Sequence, residues 1–345
     1  MMKMNYKKAG VNIDAGNEAV DQIKNEVKKT FSKNVLTNLG SFGSLYDISD
    51  IKNNYTHPVM VQSIDGVGTK TIIARKLRKF DTIGIDLLSA CSNDIIVMGA
   101  KPLTFLDYIA NDKLDPFIIK EIVSGMVKAC NENNVSLVGG ETAEMPDTYR
   151  KGEHDLVGII TGMVEKEKII TGNNIKEGDI LLGLESNGLH TNGYSLARKL
   201  FFEIGKFNVK DKIPEFHKNI GLTLLEPHIN YTKHVFSLIN NNINVKGIAH
   251  ITGGGLIENI PRIIPSQFGV EIYKKSWSPL PVFDVMKDLG KISDIEMFRT
   301  FNMGIGLVII INQNDQKLVK TILSDFCKVF EIGIVNNNKN KVELI

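Results

Sequence analysis

Short apolar runs alternate with segments whose apolar residues recur at helical spacing along the whole chain. In the first half this pattern predicts strands at 59–61, 103–110, 135–138 and 156–164, and helices at 71–79, 84–100 and 117–130. In the second half it predicts strands at 180–184, 246–251 and 307–311, and helices at 194–202, 227–240 and 313–326. Strand–helix alternation favours the α/β class, so we expect an α/β fold in both halves.

A polar stretch rich in turn-forming residues separates the two halves. It contains Thr171-Gly172-Asn173-Asn174 and Glu177-Gly178-Asp179, which favour turns. The chain has 345 residues, and one hydrophobic core rarely grows beyond roughly 250–300 residues. We therefore predict two domains, 1–170 and 171–345. The Asn- and Lys-rich stretch at 336–341 is predicted to be a hairpin loop.

Charge and composition exclude several classes of protein. The 41 basic and 39 acidic residues nearly balance, which gives no electrostatic reason to expect a nucleic-acid partner. The three cysteines lie far apart in the sequence, which argues against a disulfide framework or a cysteine zinc site. No apolar run is long enough to span a bilayer and the first residues do not resemble a signal peptide, so we expect a cytoplasmic protein without a membrane partner.

Three glycine-rich segments each lie between a predicted strand and a predicted helix, at 65–71, 186–193 and 252–255. In the first, Gly66 and Gly68 would let backbone N–H groups approach an anion at a helix N-terminus, and Lys70 would add a positive charge. The spacing matches neither a P-loop nor a dinucleotide-binding fingerprint. For each segment, a tight turn without a ligand remains the alternative.

The helix predicted at 84–100 is apolar on nearly every side and yet carries polar residues on one face. These are Asp86, Asn93 and Asp94, and the segment itself contains no Lys or Arg to pair with them. A buried carboxylate is costly unless it is paired or binds a metal. The stripe therefore favours a site at Asp94, whereas proximity to the helix end is an alternative explanation for Asp86.

Two other segments place carboxylates in apolar surroundings. Asp107 interrupts a strand that is apolar on both faces, and Glu141 and Glu144 follow the strand predicted to end at Gly139-Gly140. The ends of strands are where α/β proteins bind ligands. Together with Asp65 and Asp94, Asp107 and Glu141 form a candidate set of oxygen ligands for Mg²⁺. This ion prefers one or two carboxylates with phosphate oxygens and water, so the set predicts magnesium bound with a nucleotide.

Eight segments, in order along nearly the whole chain, match one family. They are YKKAGVNIDAGN at 6–17, DGVGTK at 65–70, DTIGIDL at 81–87, FLDY at 105–108, LVGGETAEMP at 137–146, HTNGYSL at 190–196, AHITGGG at 249–255 and RTFN at 299–302. Through them the chain resembles the phosphoribosylformylglycinamidine cyclo-ligases, also called aminoimidazole ribonucleotide synthetases. So many long matches are far more specific than any single motif.

The resemblance implies a fold, an assembly and a reaction. The fold would be two α/β domains, and the assembly a homodimer whose N-terminal domains share a closed β-barrel, with the active site between the domains along the dimer contact. ATP and Mg²⁺ would serve to close the imidazole ring of formylglycinamidine ribonucleotide. The products would be 5-aminoimidazole ribonucleotide, ADP and phosphate, formed through an iminophosphate in de novo purine biosynthesis.

Under this hypothesis the candidate residues take separate roles. Asp65, Asp94 and Glu141 would bind Mg²⁺, with Asp107 as a ligand or an orienting group. ATP phosphates would contact Lys70 and the backbone of Gly66, Gly68 and Thr69.

Substrate would contact two loops, His190-Thr191-Asn192 and Thr252-Gly253-Gly254. His190 is a candidate proton carrier alongside the catalytic Asp65 and Lys70, although a lone histidine is more often structural. Gly40 and Gly43 belong to a loop that the family usually makes richer in glycine and that would close over ATP.

Other proteins of the same fold are the alternatives. A selenophosphate synthetase would need a reactive cysteine near the N-terminal glycine-rich region, and the first cysteine here is Cys91. A thiamine-phosphate kinase would lack the 190–193 stretch in this form, and a formylglycinamidine synthetase would bring additional domains. A catalytically inactive nucleotide-binding subunit is a further alternative, against which the complete acidic set argues.

Overall fold

A computed structural model describes residues 10–339 and 341–345 of the chain. The described residues divide into two compact units, each built on its own β-sheet. The first unit contains the residues up to Ile95 together with Lys101–Lys166, and the second contains Ile96–Ala100 and Glu167–Ile345. In the part of the chain that is described, no helix has the length and apolar character needed to cross a membrane.

The first unit packs helices on a four-stranded sheet. Its strands are β1 (Pro58–Gly66), β2 (Lys101–Asn111), β3 (Ser136–Glu144) and β4 (His154–Glu165), in the order β1-β4-β2-β3. Only β2 and β3 run parallel. The helices are α1 (Ile13–Lys28), α2 (Ile51–Asn54), α3 (Thr71–Leu77), α4 (Asp81–Ile96) and α5 (Pro116–Asn133).

Glycines allow α4 to lie directly against its neighbours. A Cβ on Gly84 would collide with the backbone of α5, and one on Gly125 would collide with the backbone of α4. Below α4, a Cβ on Gly158 of β4 would collide with the Phe105 ring and lie 3.0 Å from Leu87. Backbones this close admit no larger residue, so α4 is fixed between α5 and the sheet.

The second unit contains a six-stranded sheet in the order β10-β7-β9-β5-β8-β6. Its strands are β5 (Ile180–Glu185), β6 (Gly247–His250), β7 (Gly269–Ile272), β8 (Ile305–Ile311), β9 (Val329–Asn336) and β10 (Val342–Leu344). The helices are α6 (Tyr194–Arg198), α7 (Ile220–Leu224), α8 (Thr232–Asn240), α9 (Gly255–Asn259), α10 (Pro281–Gly290), α11 (Asp294–Thr300) and α12 (Gln316–Leu323). Strands β5 and β8 form the centre of the core, where α8 and α12 pack on them.

The expected mixture of helices and sheets is confirmed, but three local predictions are wrong. Strand β3 does not stop at Gly139-Gly140, because its parallel pairing with β2 continues to Glu144. The helix expected at 227–240 begins only at Thr232, because residues 226–231 do not adopt a helical conformation. The stretch at 336–341 is not a hairpin loop, because β9 and β10 lie on opposite sides of β7 instead of pairing with each other.

A buried ion pair holds the glycine-rich turn after β1 against α4. Lys70 ends a short 3-10 turn, Gly68–Lys70, and its Nζ lies 2.9 and 2.8 Å from the two carboxylate oxygens of Asp86. Both side chains are completely buried. Asp86 therefore does have a basic partner, which the sequence of α4 alone does not contain. The pair links the segment that carries Asp65 to the helix that carries Asp94.

We expect the two charges to depend on each other. Lys70→Met leaves the Asp86 carboxylate buried beside an apolar side chain, which should lower the free energy of unfolding by about 3–5 kcal/mol. The double variant Lys70→Met/Asp86→Leu should recover most of that loss, because it removes both charges. Urea denaturation of the three proteins measures the effect. Lys33→Met is the control, since the Lys33–Asp50 pair is exposed and should leave the urea midpoint nearly unchanged. Equal stability of Lys70→Met and the wild type would contradict the prediction.

A second prediction concerns acid stability. His234 on α8 is buried between the rings of Tyr231 and Phe326, and burial, followed by the charge of Lys233, lowers the pKa of His234 to about 4. The folded state therefore binds its proton less readily than the unfolded chain does. His234 costs no stability above about pH 6.5, and stability is lost as the pH falls from there to about 4.

His234→Gln should make the free energy of unfolding less dependent on pH between about 6.5 and 4, by on the order of 3 kcal/mol. Urea denaturation at a series of pH values measures the slope. His217→Gln, a change at an exposed histidine, should leave the slope as in the wild type. A wild-type slope in His234→Gln would refute the assignment.

Candidate functional site

The register of the first sheet aligns two of the predicted acids. Asp65 on β1 and Asp107 on β2 both pair with Gly158 of the intervening strand β4. Residues directly opposite each other in adjacent strands project from the same face of a sheet. Both carboxylates therefore lie on the face that α4 covers, at a Cα separation of about 10 Å, which is two strand spacings.

Asp65 and Asp94 form the central pair of the candidate site. Asp94 on α4 accepts a hydrogen bond of 2.9 Å from Ser63, which precedes Asp65 by two residues on the same face of β1. Both carboxylates act on the buried thiol of Cys91: burial raises the pKa of Cys91, and the charges of Asp65 and Asp94 raise it further. Asp65 and Asp94 are half-buried, so the pair remains accessible to a ligand.

Asp107 is half-buried and packs against Gly140 of the neighbouring strand. Its carboxylate occupies the space that a Cβ on Gly140 would need, so the glycine makes room for the acid. Burial raises the pKa of Asp107 to about 7, and its charge contributes to the raised pKa of Cys130 on α5. Of the two roles predicted for Asp107 from the sequence, ligand or orienting group, these contacts favour the orienting role.

Glu141 lies on the other face of the sheet. It pairs with Tyr108, one residue beyond the Asp107–Gly140 pair, so its side chain projects away from α4 and is exposed. Among the described residues, the oxygens of Asp65, Asp94 and Glu141 do not gather within 4.8 Å of one another. A single copy of the sheet thus brings Asp65 and Asp94 together but leaves Glu141 apart from them.

In the glycine-rich turn after β1, the backbone is more accessible to a ligand than the side chain of Lys70 is. The N–H of Gly66 donates to the Asp65 carboxylate at 2.7 Å, and Gly68 has a left-handed φ of +64° at an exposed position. Thr69 is half-buried, while Lys70 is buried against Asp86. Contact of Lys70 with phosphate stays a prediction, and it would require the buried ammonium group to become accessible.

The loop that carries Gly40 and Gly43 is exposed. It lies between Val35 and Tyr46, which form a single β-bridge, and a Cβ on either glycine would meet no other atom. Phe42 between them is fully exposed. The structure therefore gives this loop room to close over a ligand, and its contact with ATP stays a prediction.

In the second unit, the two predicted substrate loops lie beside each other. A Cβ on Gly253 would be 3.4 Å from the side-chain oxygen of Asn192. Thr191, Asn192 and Thr252 are half-buried and Gly253 is exposed, whereas the ring of His190 is fully buried. His190 has a left-handed φ of +61°, a conformation that few non-glycine residues adopt. Strained conformations of this kind are common at functional sites.

Buried asparagines that the sequence did not single out hold these loops. Asn302 follows α11; its amide donates to the carbonyl of Gly188 at 2.9 Å, and its oxygen accepts from Ser186 at 3.2 Å. Asn259 on α9 donates to the carbonyls of Thr252, Gly253 and Gly255 at 2.8–3.3 Å. The match at 299–302 marked Asn302 only as part of a motif, because its partners lie more than 100 residues away in the sequence.

Histidines are the other residues that sequence reasoning missed. His228, before α8, and His250, at the end of β6, form a buried group with His190. His250 lies in the segment 249–255 that resembles the cyclo-ligases, but the pattern gave His228 no signal. Only the folding of the chain brings His228 beside His190, 38 positions earlier in the sequence.

The donor set fits a magnesium ion held by two carboxylates. Asp65 and Asp94 supply hard oxygen ligands, and Mg²⁺ completes its shell with water and phosphate oxygens. The face with Asp65 lies beside the turn at the exposed Gly68 and the half-buried Thr69, where backbone N–H groups can meet an anion. The first unit therefore contains a candidate site for a metal-bound phosphate.

Comparison with known proteins identifies the family. Models of the AIR synthase related protein family match this chain at 52–164 with the N-terminal domain and at 176–345 with the C-terminal domain. A phosphoribosylformylglycinamidine cyclo-ligase from Thermoanaerobacter pseudethanolicus is 51% identical over 342 residues, which cover 99% of this chain and all of the relative. One from Ligilactobacillus salivarius is 48% identical over 99% of this chain and 98% of its own length.

Solved structures show the same fold at low sequence identity. A thiamine-monophosphate kinase from Stenotrophomonas maltophilia has a TM-score of 0.71 at 16% identity, covering 94% of this chain and 95% of that one. The hydrogenase maturation protein HypE in complex with ATP has a TM-score of 0.68 at 15% identity, covering 96% and 91%. These two share the fold alone, whereas the full-length identity of about half places the relationship more closely: the chain belongs to the family of the phosphoribosylformylglycinamidine cyclo-ligases.

Proposed function

We propose that this protein uses ATP to close the imidazole ring of formylglycinamidine ribonucleotide, giving 5-aminoimidazole ribonucleotide, ADP and phosphate in de novo purine biosynthesis. The full-length identity to cyclo-ligases supports the reaction. For the place where the phosphates bind, the observation that carries the proposal is the half-buried pair Asp65 and Asp94 beside an exposed glycine turn.

Asp65 and Asp94 would hold Mg²⁺. When bound, the ion supplies positive charge that neutralises the phosphate oxygens. Asp107 lies on the same face of the sheet, two strands away from Asp65, and packs against Gly140. It would orient other groups at this site. The backbone of Gly68 and Thr69 would donate hydrogen bonds to ATP. Glu141 stays a predicted ligand that one copy of the sheet does not bring to the pair.

The loops of the second unit would position the other substrate. A formamide oxygen is a poor leaving group, and phosphorylation converts it into one that the amidine nitrogen of the same molecule can displace. Both steps depend on positioning and on stabilising charge more than on a protein nucleophile. Thr191, Asn192 and the turn at Thr252-Gly253-Gly254 would hold the substrate. The buried ring of His190 would hold or move a proton at its edge of the loop.

The assembly would be a homodimer formed through the open face of the first sheet. That face presents four exposed apolar side chains, which lie on the side opposite α4: Met60, Ile64, Leu106 and Ile159. Exposed apolar patches on a sheet mark interaction surfaces. A second copy of the same sheet would cover the face and give the shared barrel that the resemblance implies.

Turnover tests the proposed reaction. Purified protein should convert formylglycinamidine ribonucleotide with ATP and Mg²⁺ into aminoimidazole, measured by diazo coupling, with one ADP released per ring closed. Omitting Mg²⁺ should abolish both products. Release of ADP without aminoimidazole would instead favour another ATP-using enzyme of this fold, such as a kinase.

Asp65→Asn should reduce turnover by roughly 100- to 1000-fold while the protein stays folded, because the variant loses the charged oxygen that would bind the metal. The same assay measures the loss, and circular dichroism checks the fold. Asp155→Asn is the matched control, since Asp155 is an exposed acid on β4 of the same sheet. Near-normal turnover of Asp65→Asn would rule out the metal assignment.

Ile159→Arg should shift the protein from dimer to monomer, because a charge at the centre of the open face cannot be buried without a partner. Sedimentation velocity measures the masses. Ile295→Arg introduces the same change at an exposed isoleucine of α11 and should leave the dimer intact. If both variants sediment as the wild type does, the open face is not the interface.

A further inference from the structure

His228 occupies the centre of a buried histidine cluster in the second unit. It lies between α7 and α8, in the non-helical segment 226–231, where the sequence predicted the start of a longer helix. Its residue surface is 1% exposed, with His190 at 0% and His250 at 7%. Burying three titratable rings together is costly unless their polar atoms are used, so the contacts of the cluster define its role.

Each nitrogen of His228 meets a different loop. Nδ1 lies 3.3 Å from the hydroxyl of Thr191, in the first predicted substrate loop. Nε2 lies 3.1 Å from Nε2 of His250, the residue two positions before Thr252 of the second loop. The ring also stacks on His190, with centroids 4.0 Å apart and planes inclined by 21°. One side chain thus contacts both loops and the candidate proton carrier.

The hydrogen bonds are consistent with a single neutral ring. A bond between two imidazole nitrogens needs one to donate and the other to accept. If the Thr191 hydroxyl donates to Nδ1 of His228, then Nε2–H of His228 donates to His250. The reverse direction connects the same atoms. In both cases the position of the Thr191 hydroxyl depends on the end of β6 through the one imidazole.

Each of two other buried residues, Asn302 and Asn259, bonds to only one of the two loop segments. Asn302 bonds to Ser186 and Gly188, before the first substrate loop. Asn259 bonds within the second loop. These bonds hold each loop segment but do not join one loop to the other. The offset between the loops decides where the Asn192 side chain meets Gly253.

We infer that His228 is a positioning residue that holds the two substrate loops of this enzyme in register and orients the ring of His190. The inference rests on the proposed function of those loops. The substrate affected would be formylglycinamidine ribonucleotide, since every contact of His228 described above lies in the second unit. ATP, whose candidate site is in the first unit, should be unaffected by small changes at His228.

Three substitutions separate the contacts. His228→Asn places an amide near the position of Nδ1 and can keep the bond to Thr191, whereas His228→Gln places one near Nε2 and can keep the bond to His250. His228→Ala removes both. We expect His228→Ala to lower kcat/KM for formylglycinamidine ribonucleotide by about 10- to 100-fold, because small displacements of positioning groups have effects of that size. KM for ATP should stay within about twofold of the wild type.

The asparagine and glutamine variants should each recover part of the loss. Thr191→Val, which removes the hydroxyl, should add little to the defect of His228→Ala, because both changes break the same link. In contrast, Thr191→Val should add its full effect to His228→Asn, because the asparagine keeps the bond to the Thr191 hydroxyl. If His228→Ala does not fold, the asparagine and glutamine variants carry the test.

His234→Gln is the matched control. It changes a buried histidine of the same unit whose ring contacts are with Tyr231 and Phe326, so it should leave both KM values unchanged at neutral pH. A single-turnover measurement gives the concentration of active sites. Rates expressed per active site are then independent of any loss of folded protein. Equal kcat/KM values for formylglycinamidine ribonucleotide in the wild type, His228→Ala and His228→Gln would overturn the inference. Absence of aminoimidazole formation by the wild type would instead refute the proposed function.

Discussion

The buried pair of Lys70 and Asp86 is the constraint on which the first unit depends most. Two charges removed from water stabilise each other because each lies within hydrogen-bond distance of the other. Their bond joins the turn after β1 to α4 and so fixes the distance between the segments that carry Asp65 and Asp94. A lysine in a glycine-rich phosphate turn is usually read as a ligand. Here the same residue holds together the frame in which the acids meet.

Glycine plays the complementary part in the first unit. The acids Asp65 and Asp107 lie on either side of Gly158, and Asp107 fills the space left by Gly140. A side chain at either glycine would push α4 or the carboxylate away. Glycines next to the acids are therefore required by the packing. They allow two carboxylates to lie on the sheet surface below α4 without disrupting the core.

The second unit meets a similar problem with polar networks instead of an ion pair. Its two candidate loops contain glycine and small polar residues, which have little apolar surface to hold them. Asn302, Asn259 and the histidine cluster supply the hydrogen bonds that such loops lack. Networks of this kind are stable in the interior only when their members are satisfied together. The family relationship and the buried networks thus point to the same loops by independent routes.

The sequence alone identified the family and predicted which residues carry the chemistry. Long ordered motifs named the acid at Asp65, the loop at His190 and the glycine turn at Thr252. The alternation of apolar and polar residues also predicted the strands β2, β4, β5 and β8 and the helix α5 closely, because their periodicity is strong, whereas the helix predicted at 84–100 runs from Asp81 to Ile96.

Only the tertiary structure decided which of those residues meet. It paired Lys70 with Asp86, placed Glu141 on the face opposite Asp65, and brought His228 beside His190. Strand register and the packing of segments distant in the sequence set these contacts, and neither is written in a local pattern. A shift of one residue moves a side chain to the other face of a sheet. The sequence could therefore identify the candidate acids but could not predict which of them lie close together.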